Sequence, residues 1–135
     1  MEELKIDALV DNLDRVLEFL DEKLEAMDCP MKEKIQLDIA LEEMFVNVAH
    51  YAYEGGTGWA QITLEPSEGR RGICISLRDA GRPYDPLARE DPDVTLSAEE
   101  RQIGGLGIFM VKKSMDRVAY EHTDGCNVFT MEKYF

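Results

Sequence analysis

Residues 31–64 read MKEKIQLDIALEEMFVNVAHYAYEGGTGWAQITL, and the spacing of apolar residues changes inside this stretch. The glycine-rich run 54–58 separates the two patterns. After it, Ala60, Ile62 and Leu64 alternate with polar residues, which is typical of a half-buried strand. A long helix over about residues 31–52, followed by a strand, is therefore predicted. The helical part carries apolar residues three and four positions apart, on one face: Leu37, Leu41, Met44, Phe45 and Val48.

Two further patterns precede this stretch. Residues 3–8 alternate weakly between apolar and polar, which suggests a short strand. A first helix is predicted next, and it ends at Cys29-Pro30 because the residue before a proline is biased away from the helical conformation. Its apolar stripe has spacings of three and four residues: Leu9, Leu13, Val16, Leu17, Leu20, Leu24 and Met27.

The second half of the chain repeats strand patterns around one more helix. Ile73, Ile75 and Leu77 alternate with polar residues, so that a second strand pairs with residues 60–65 across the turn 66–72. Residues 118–123 and 127–134 flank Asp124-Gly125, which is a strong hairpin signal. A third helix is predicted to start after a run of glycines and to end near Asp116, from the residues Ile108, Met110, Val111 and Met115.

The predicted order is β, α, α, β, β, long loop, α, β, β, within a single domain of residues 1–135. Tight turns join the strand pairs, so we expect a mixed, mostly antiparallel sheet that helices cover on one face. This is an α+β two-layer sandwich. The loop over residues 79–105 is long and rich in proline, and a loop of that length in a compact domain is usually functional.

Composition and charge narrow the classes of function. Hydrophobic residues make up 44% and charged residues 32% of the chain, which fits a folded domain and not a disordered one. The net charge of −13 disfavours nucleic acid and anionic membrane surfaces as partners, because both carry negative charge. An acidic surface suits a partner with basic patches, although it also serves solubility alone.

The cysteines and the N-terminus suggest a cytoplasmic location. Cys29, Cys74 and Cys126 lie far apart, so neither a zinc site nor a disulfide framework is indicated, and scattered thiols fit a reducing cytosol. The chain starts Met1-Glu2-Glu3, without the basic and apolar regions of a secretory signal. No run approaches the roughly 20 apolar residues of a membrane span.

Glu43 and Asn47 form the first candidate site. They are four residues apart on the predicted long helix, so they lie on one face, beside apolar residues. A half-buried carboxylate there can accept a proton from an attacking hydroxyl group. The amide oxygen one turn away can bind Mg²⁺, which prefers oxygen ligands. Taken alone, such a pair is more often a solvated helix edge.

The second candidate site is Asp79-Ala80-Gly81 at the end of a predicted strand. A carboxylate in that place can accept a hydrogen bond from an exocyclic amine, such as the amino group of adenine. Gly81 has no Cβ, so that a flat ring can come close to the backbone. Taken alone, the pattern Asp-x-Gly is most often a turn.

The third candidate site is Gly104-Gly105-Leu106-Gly107, before the third helix. Glycines let backbone N–H groups point at a ligand, and a helix N-terminus favours an anion. The pattern suggests a phosphate cradle, although no Lys-Ser/Thr follows at the spacing of a Walker loop. A glycine-rich turn without a ligand is the alternative.

The order of these features resembles the GHKL superfamily of ATPases, which includes gyrase, heat-shock chaperone, histidine kinase and mismatch-repair types. Within it the chain is most similar to the anti-sigma-factor serine kinases, over nearly its whole length. The stretches that carry the resemblance are ALEEMFVN (40–47), YAY (51–53), DAGRPYDP (79–86), IGGLGIFMVK (103–112), MD (115–116) and GCNV (125–128).

The resemblance implies that the chain binds ATP and Mg²⁺. It makes Glu43 the general base, Asn47 the magnesium ligand and Asp79 the partner of the adenine amino group, with Gly81 beside it. Residues 86–103 would then form a lid over the nucleotide. The remaining nucleotide contacts that the resemblance implies are Gly104, Gly105, Leu106 and Gly107 at the phosphates and Asn127 at a water beside the base.

The resemblance also implies an activity and partners. Members of that family transfer the γ-phosphoryl group of ATP to a serine or threonine of an anti-anti-sigma protein, and they sequester a sigma factor. They commonly dimerise through the sheet and first strand, which makes a homodimer a hypothesis here. No direct contact with nucleic acid or a membrane is expected.

Two departures from the family pattern leave an alternative open. The family's lid often has a basic residue just before the glycines, where this chain has Gln102 and Ile103, and its late Gly-Thr-Thr reads Gly-Cys-Asn at residues 125–127. The alternative is a non-catalytic, nucleotide-sensing module that sequesters a protein partner. A histidine-kinase catalytic domain is a third hypothesis, but nothing resembles a dimerisation helix with a phospho-accepting histidine.

Overall fold

The computed structural model describes residues 1–88 and 105–135 of the chain. Short 3-10 turns lie at Val10–Asn12 and Pro86–Ala88. The element order agrees with the prediction, and the α+β class is confirmed. Within the described ranges the helices and strands follow in the order β1 (Glu2–Asp7), α1 (Leu13–Ala26), α2 (Met31–Tyr51), β2 (Trp59–Pro66), β3 (Gly72–Asp79), α3 (Gly105–Ser114), β4 (Arg117–Thr123) and β5 (Cys126–Tyr134).

The strands form one sheet with the order β1-β2-β3-β5-β4. Every pairing between the described strands is antiparallel, so the sheet is not mixed in this part of the chain. After α3, the chain first forms the edge strand β4 and then turns back as β5, which lies between β4 and β3. Each described strand is therefore antiparallel to its neighbours. Asp124 and Gly125 have φ angles of 53° and 75°. A two-residue type I′ hairpin turn requires this backbone, as the Asp-Gly signal predicted.

Helices cover one face of the sheet, and the core lies between the two layers. The strands contribute every second residue, since successive side chains of a strand point to opposite faces. Burying one such aliphatic or aromatic side chain contributes roughly 1.5–3 kcal/mol. The buried residues include Val16, Leu20 and Leu24 from α1, Leu37, Leu41, Met44 and Phe45 from α2, and Ile62, Leu64, Ile73, Ile75, Leu77, Phe129 and Met131 from the sheet.

Two helix starts differ from the predictions. The first helix was predicted from Leu9, but α1 begins at Leu13 after the 3-10 turn, and Leu9 is 39% exposed. The side chain of Asn12 donates to the backbone oxygen of Asp7, which favours this turn over a helix at the end of β1. α3 begins at Gly105, so Gly105 and Gly107 lie inside its first turn and not before it.

No helix within residues 1–88 and 105–135 combines the length and the hydropathy that crossing a bilayer requires.

Candidate functional site

A cleft lies between the C-terminal half of α2, the end of β3 and the start of β5. Its walls are largely apolar, and a few polar side chains stand among them, which is typical of small-molecule sites. The apolar walls include Met44, Leu77 and Phe129, and the polar side chains include Asn47, Asp79 and Asn127.

Asp79, the last residue of β3, is only 4% exposed. Its Oδ1 accepts two hydrogen bonds, from the backbone N–H of Gly81 at 2.9 Å and from Nδ2 of Asn127 at 3.0 Å. Its Oδ2 accepts none from residues 1–88 or 105–135. Because Asp79 lines the cleft, Oδ2 is the oxygen available to a bound molecule.

The backbone after Asp79 is tied to the C-terminal end of α2. A Cβ at Gly81 would overlap the carbonyl group and the side chain of Ala52, so only glycine allows this close approach. Arg82 donates from its backbone N–H to the oxygen of Ala52 at 2.9 Å and from Nε to the oxygen of Tyr51 at 3.1 Å. A guanidinium also suits the negative end of a helix dipole. These contacts hold the Asp-x-Gly segment at the cleft.

Asn127 stands directly opposite Asp79 in the pairing of β3 with β5 and is 6% exposed. Besides its bond to Asp79, Nδ2 donates to the backbone oxygen of Arg82 at 2.8 Å. Its Oδ1 accepts from the backbone N–H of Tyr84 at 3.2 Å and from the hydroxyl of Tyr120. Asn127 therefore joins β5 to the segment that follows β3, and its amide is fully engaged by the protein.

Glu43 and Asn47 meet on the face of α2 next to α3. Nδ2 of Asn47 donates to Oε1 of Glu43 over 3.4 Å, one helical turn apart, and Glu43 is half-buried. A Cβ at Gly107 would collide with the carboxylate of Glu43, so the first turn of α3 packs directly on that group. The neighbouring Glu42 is exposed, as expected. The structure thus brings together Glu43, Asn47 and Gly107.

The donors present fit a magnesium ion that arrives with phosphate groups. Since Nδ2 of Asn47 turns to Glu43, its Oδ1 accepts no hydrogen bond from the described residues and is a hard oxygen donor at the cleft. Mg²⁺ commonly takes one or two protein oxygens and completes its shell with phosphates and water. Among residues 1–88 and 105–135, no cluster of three His, Cys, Asp or Glu side chains could hold a metal alone.

Two predicted phosphate contacts are not fully described. Gly104 lies outside the described residues, together with most of the predicted lid. Gly105 starts α3, so backbone N–H groups of its first turn have no partner within the helix. The side chain of Leu106 also lies outside the description.

The sequence analysis did not identify Tyr53 and Tyr120, whose hydroxyl groups hydrogen-bond to residues of the site. The hydroxyl of Tyr53 donates to the backbone oxygen of Trp59 at 2.5 Å and accepts from the N–H of Ala80 at 3.0 Å. Burial raises the pKa of both Tyr53 and Tyr120 above the ordinary tyrosine value. These hydroxyls therefore stay protonated and can donate at neutral pH. The motif YAY marked Tyr53, but nothing local to the sequence showed its partners.

Comparisons with known proteins support the fold. A family model described as histidine kinase-like ATPase domain matches residues 6–133. A serine/threonine-protein kinase of Bordetella bronchiseptica, BtrW, is 27% identical over 101 residues, which are 75% of this chain and 70% of the relative. Serine-protein kinases named RsbW from Listeria monocytogenes and Listeria innocua are 31% and 30% identical over 102 residues, covering 73% of this chain and 64% of each relative.

Proposed function

This chain belongs to the histidine kinase-like ATPase domain family, and we propose that it is an ATP- and Mg²⁺-dependent protein serine/threonine kinase. One observation carries the proposal. Asn47 of α2 and Asp79 of β3, which belong to separate elements, line a single apolar cleft, and Glu43 is hydrogen-bonded to Asn47 one helical turn away. The curated relatives named above, of which the matched region spans 64–70%, are described as serine or serine/threonine kinases.

In the proposed reaction Glu43 accepts the proton of the attacking serine or threonine hydroxyl. The hydroxyl oxygen bonds to the γ-phosphorus as the bond to the bridging oxygen of ADP breaks. Asp79 would anchor the adenine base through Oδ2, and Oδ1 of Asn47 would be the protein atom that holds Mg²⁺. The metal, when bound, neutralises phosphate charge, and alignment of the acceptor supplies most of the remaining catalysis.

We propose further that the protein is a cytoplasmic anti-sigma regulator. It would bind a sigma factor and phosphorylate an anti-anti-sigma antagonist, as in the family that its motifs resemble, and it would act as a homodimer. Its net charge of −13 suits partners with basic patches. Cys29, Cys74 and Cys126 are all free thiols, which suits a reducing compartment.

Thermal unfolding with Mg·ATP, with Mg·ADP and with EDTA tests the nucleotide site. A ligand at about 100 times its Kd adds about 2.7 kcal/mol to the free energy of unfolding, which raises the midpoint by several degrees. We expect Asp79→Asn to abolish the shift. Asp124→Asn removes the same charge from an exposed turn and should keep it. No shift of the unchanged protein at millimolar nucleotide would contradict the proposal.

Phosphoryl transfer to a purified anti-anti-sigma protein tests whether Glu43 is the general base. Glu43→Gln should keep Mg·ATP binding and reduce transfer by about 100-fold or more, which is in the range that general base catalysis contributes. Glu42→Gln is the matched control, because Glu42 is the exposed neighbour on the same helix. Equal transfer by both variants would show that Glu43 is not the base.

One observation favours the non-catalytic alternative. The carboxylate of Glu43 is already bonded to Asn47 and packed against Gly107, so an acceptor hydroxyl reaches it only after a rearrangement. A nucleotide-sensing module that sequesters a partner needs no such rearrangement. Nucleotide-dependent binding of a sigma factor without any transfer, in the unchanged protein, would select this alternative.

A further inference from the structure

Asn127 has no hydrogen-bonding capacity left for a ligand. An asparagine amide offers two N–H donors and one oxygen with two lone pairs. The two N–H groups go to Asp79 and to the backbone oxygen of Arg82. The oxygen accepts from the backbone of Tyr84 and from the hydroxyl of Tyr120. A flipped amide would place its oxygen against two acceptors, so this orientation is the one that the network allows.

The same network saturates one oxygen of Asp79. A carboxylate oxygen has about two lone-pair directions. Oδ1 uses both, for the N–H of Gly81 and for Nδ2 of Asn127. Asp79 therefore offers a ligand only Oδ2, although a free carboxylate presents two oxygens side by side.

This difference matters for the choice between purines. Guanine has two adjacent donors, N1–H and the 2-amino group, which match a carboxylate with two free oxygens. Such paired, charge-assisted bonds are among the strongest in proteins. Adenine presents one exocyclic amine, which needs one oxygen. From this geometry we infer that Asn127 makes Asp79 a one-oxygen acceptor and thereby selects adenine over guanine nucleotides. The inference rests on the proposed function, because it takes Asp79 as the residue that binds the nucleobase.

The walls of the cleft strengthen the selection. The apolar side chains Met44, Leu77 and Phe129 make up much of its lining and offer no acceptor comparable to a carboxylate oxygen. A donor of guanine that finds no partner in such a place loses its bond to water without compensation. The second donor of guanine therefore weakens nucleotide binding while Asn127 is bonded to Oδ1. It strengthens binding once Oδ1 is free to accept from it.

Calorimetric titration with Mg·ATP, Mg·GTP and Mg·ITP isolates the effect. Hypoxanthine, the base of ITP, has N1–H but lacks the 2-amino group, so the ratio of GTP to ITP affinity reports the second donor alone. The unchanged protein should bind ATP best, and GTP and ITP within about threefold of each other. In Asn127→Ala the released Oδ1 should favour GTP over ITP by about tenfold, the effect of one charge-assisted hydrogen bond.

A second variant and a control cover loss of folding. Tyr120→Phe keeps the ring and removes one donor that holds the Asn127 amide, so the ratio should move in the same direction by a smaller factor. Thr130→Val removes a hydroxyl, bonded to Ser76, from the same strand and should leave the ratio unchanged. Thermal unfolding checks that each variant is folded.

The outcomes separate this inference from the proposed function. A tenfold preference of the unchanged protein for GTP over ITP would overturn the inference, since the 2-amino group of guanine would then have an acceptor although Asn127 is bonded to Oδ1. An unchanged ratio in the folded variants would overturn it as well. Failure of the folded, unchanged protein to bind ATP at millimolar concentration would overturn the proposed function and, with it, this inference.

Discussion

At the scale of single residues, the contact between Gly107 and Glu43 decides how α3 meets α2. The two residues are far apart in the sequence, yet no room remains for a Cβ between them. The sequence marked Gly107 only as a phosphate contact. Its second role, to let the carboxylate of Glu43 lie against the helix backbone, follows from the packing of the two helices.

We predict that Gly107→Ala lowers the free energy of unfolding by up to about 1 kcal/mol, because the new methyl group displaces the flexible carboxylate end of Glu43 from its contact. In an open helical position the same change would raise stability by up to about 1 kcal/mol, since alanine is the better helix former. The sign of the change in urea unfolding therefore tests the contact. Phosphoryl transfer should fall too, because the displaced group is the proposed base.

The double variant Gly107→Ala with Glu43→Ala provides the control. Removal of the carboxylate makes room for the methyl group, so the two effects should be non-additive by about 0.5–3 kcal/mol. Additive losses would mean that the destabilisation has another source.

At the scale of elements, a charged cluster joins α1 to α2. Nζ of Lys34 lies 3.3 Å from Oδ1 of Asp21 and 3.1 Å from Oδ2 of Asp38. Burial raises the pKa of Asp38 from 3.8 to about 6, the neighbouring Asp21 adds to the rise, and Lys34 opposes it. Two carboxyl groups share one ammonium group here. When both are ionised, their mutual repulsion destabilises the contact between α1 and α2.

The direction of this pKa shift predicts a pH dependence. Folded Asp38 keeps its proton up to about pH 6, whereas the unfolded chain releases it near 3.8. Stability from this group is therefore present below the unfolded pKa and is lost as the pH rises to about 6. Asp38→Asn should match the unchanged protein near pH 4 and exceed it by about 1 kcal/mol at pH 7, after allowance for solvent screening.

Urea unfolding at several pH values between 4 and 7 measures this difference. Glu18→Gln, at an exposed position of α1, removes one negative charge without touching the cluster, and its difference from the unchanged protein should stay nearly constant. A similar pH profile for both variants would contradict the assignment to Asp38.

At the scale of the whole molecule, the charge of −13 on 135 residues acts against the compact state through self-repulsion. We predict that NaCl raises the midpoint of thermal unfolding between about 0.01 and 0.15 M, because the screening length falls from about 30 Å to about 8 Å. Each kcal/mol regained is worth about 4 °C in a domain of this size. Choline chloride should act equally, since screening is not specific to sodium. A midpoint that stays constant or falls would exclude repulsion as a significant term.

The order of the elements and the three candidate motifs could be predicted from the sequence, because their signals are local. Apolar spacing identifies a helix or a strand within a dozen residues, and Asp124-Gly125 defines its own turn. The predicted starts of α1 and α3 were wrong by a few residues. α1 begins only at Leu13, after a turn that the hydrogen bond from Asn12 favours, and α3 begins already at Gly105, among the glycines that were predicted to precede it.

The amino-acid sequence by itself determined the α+β class, the helix that carries Glu43 and Asn47, and the strand that ends at Asp79. Only the tertiary structure decided the strand order and the register that sets Asp79 opposite Asn127. The physical reason is that strand pairing joins residues far apart in the chain, and a slip of one residue would turn every side chain of a strand to the other face. The hydrogen bond between Asp79 and Asn127 at this site arises at that level.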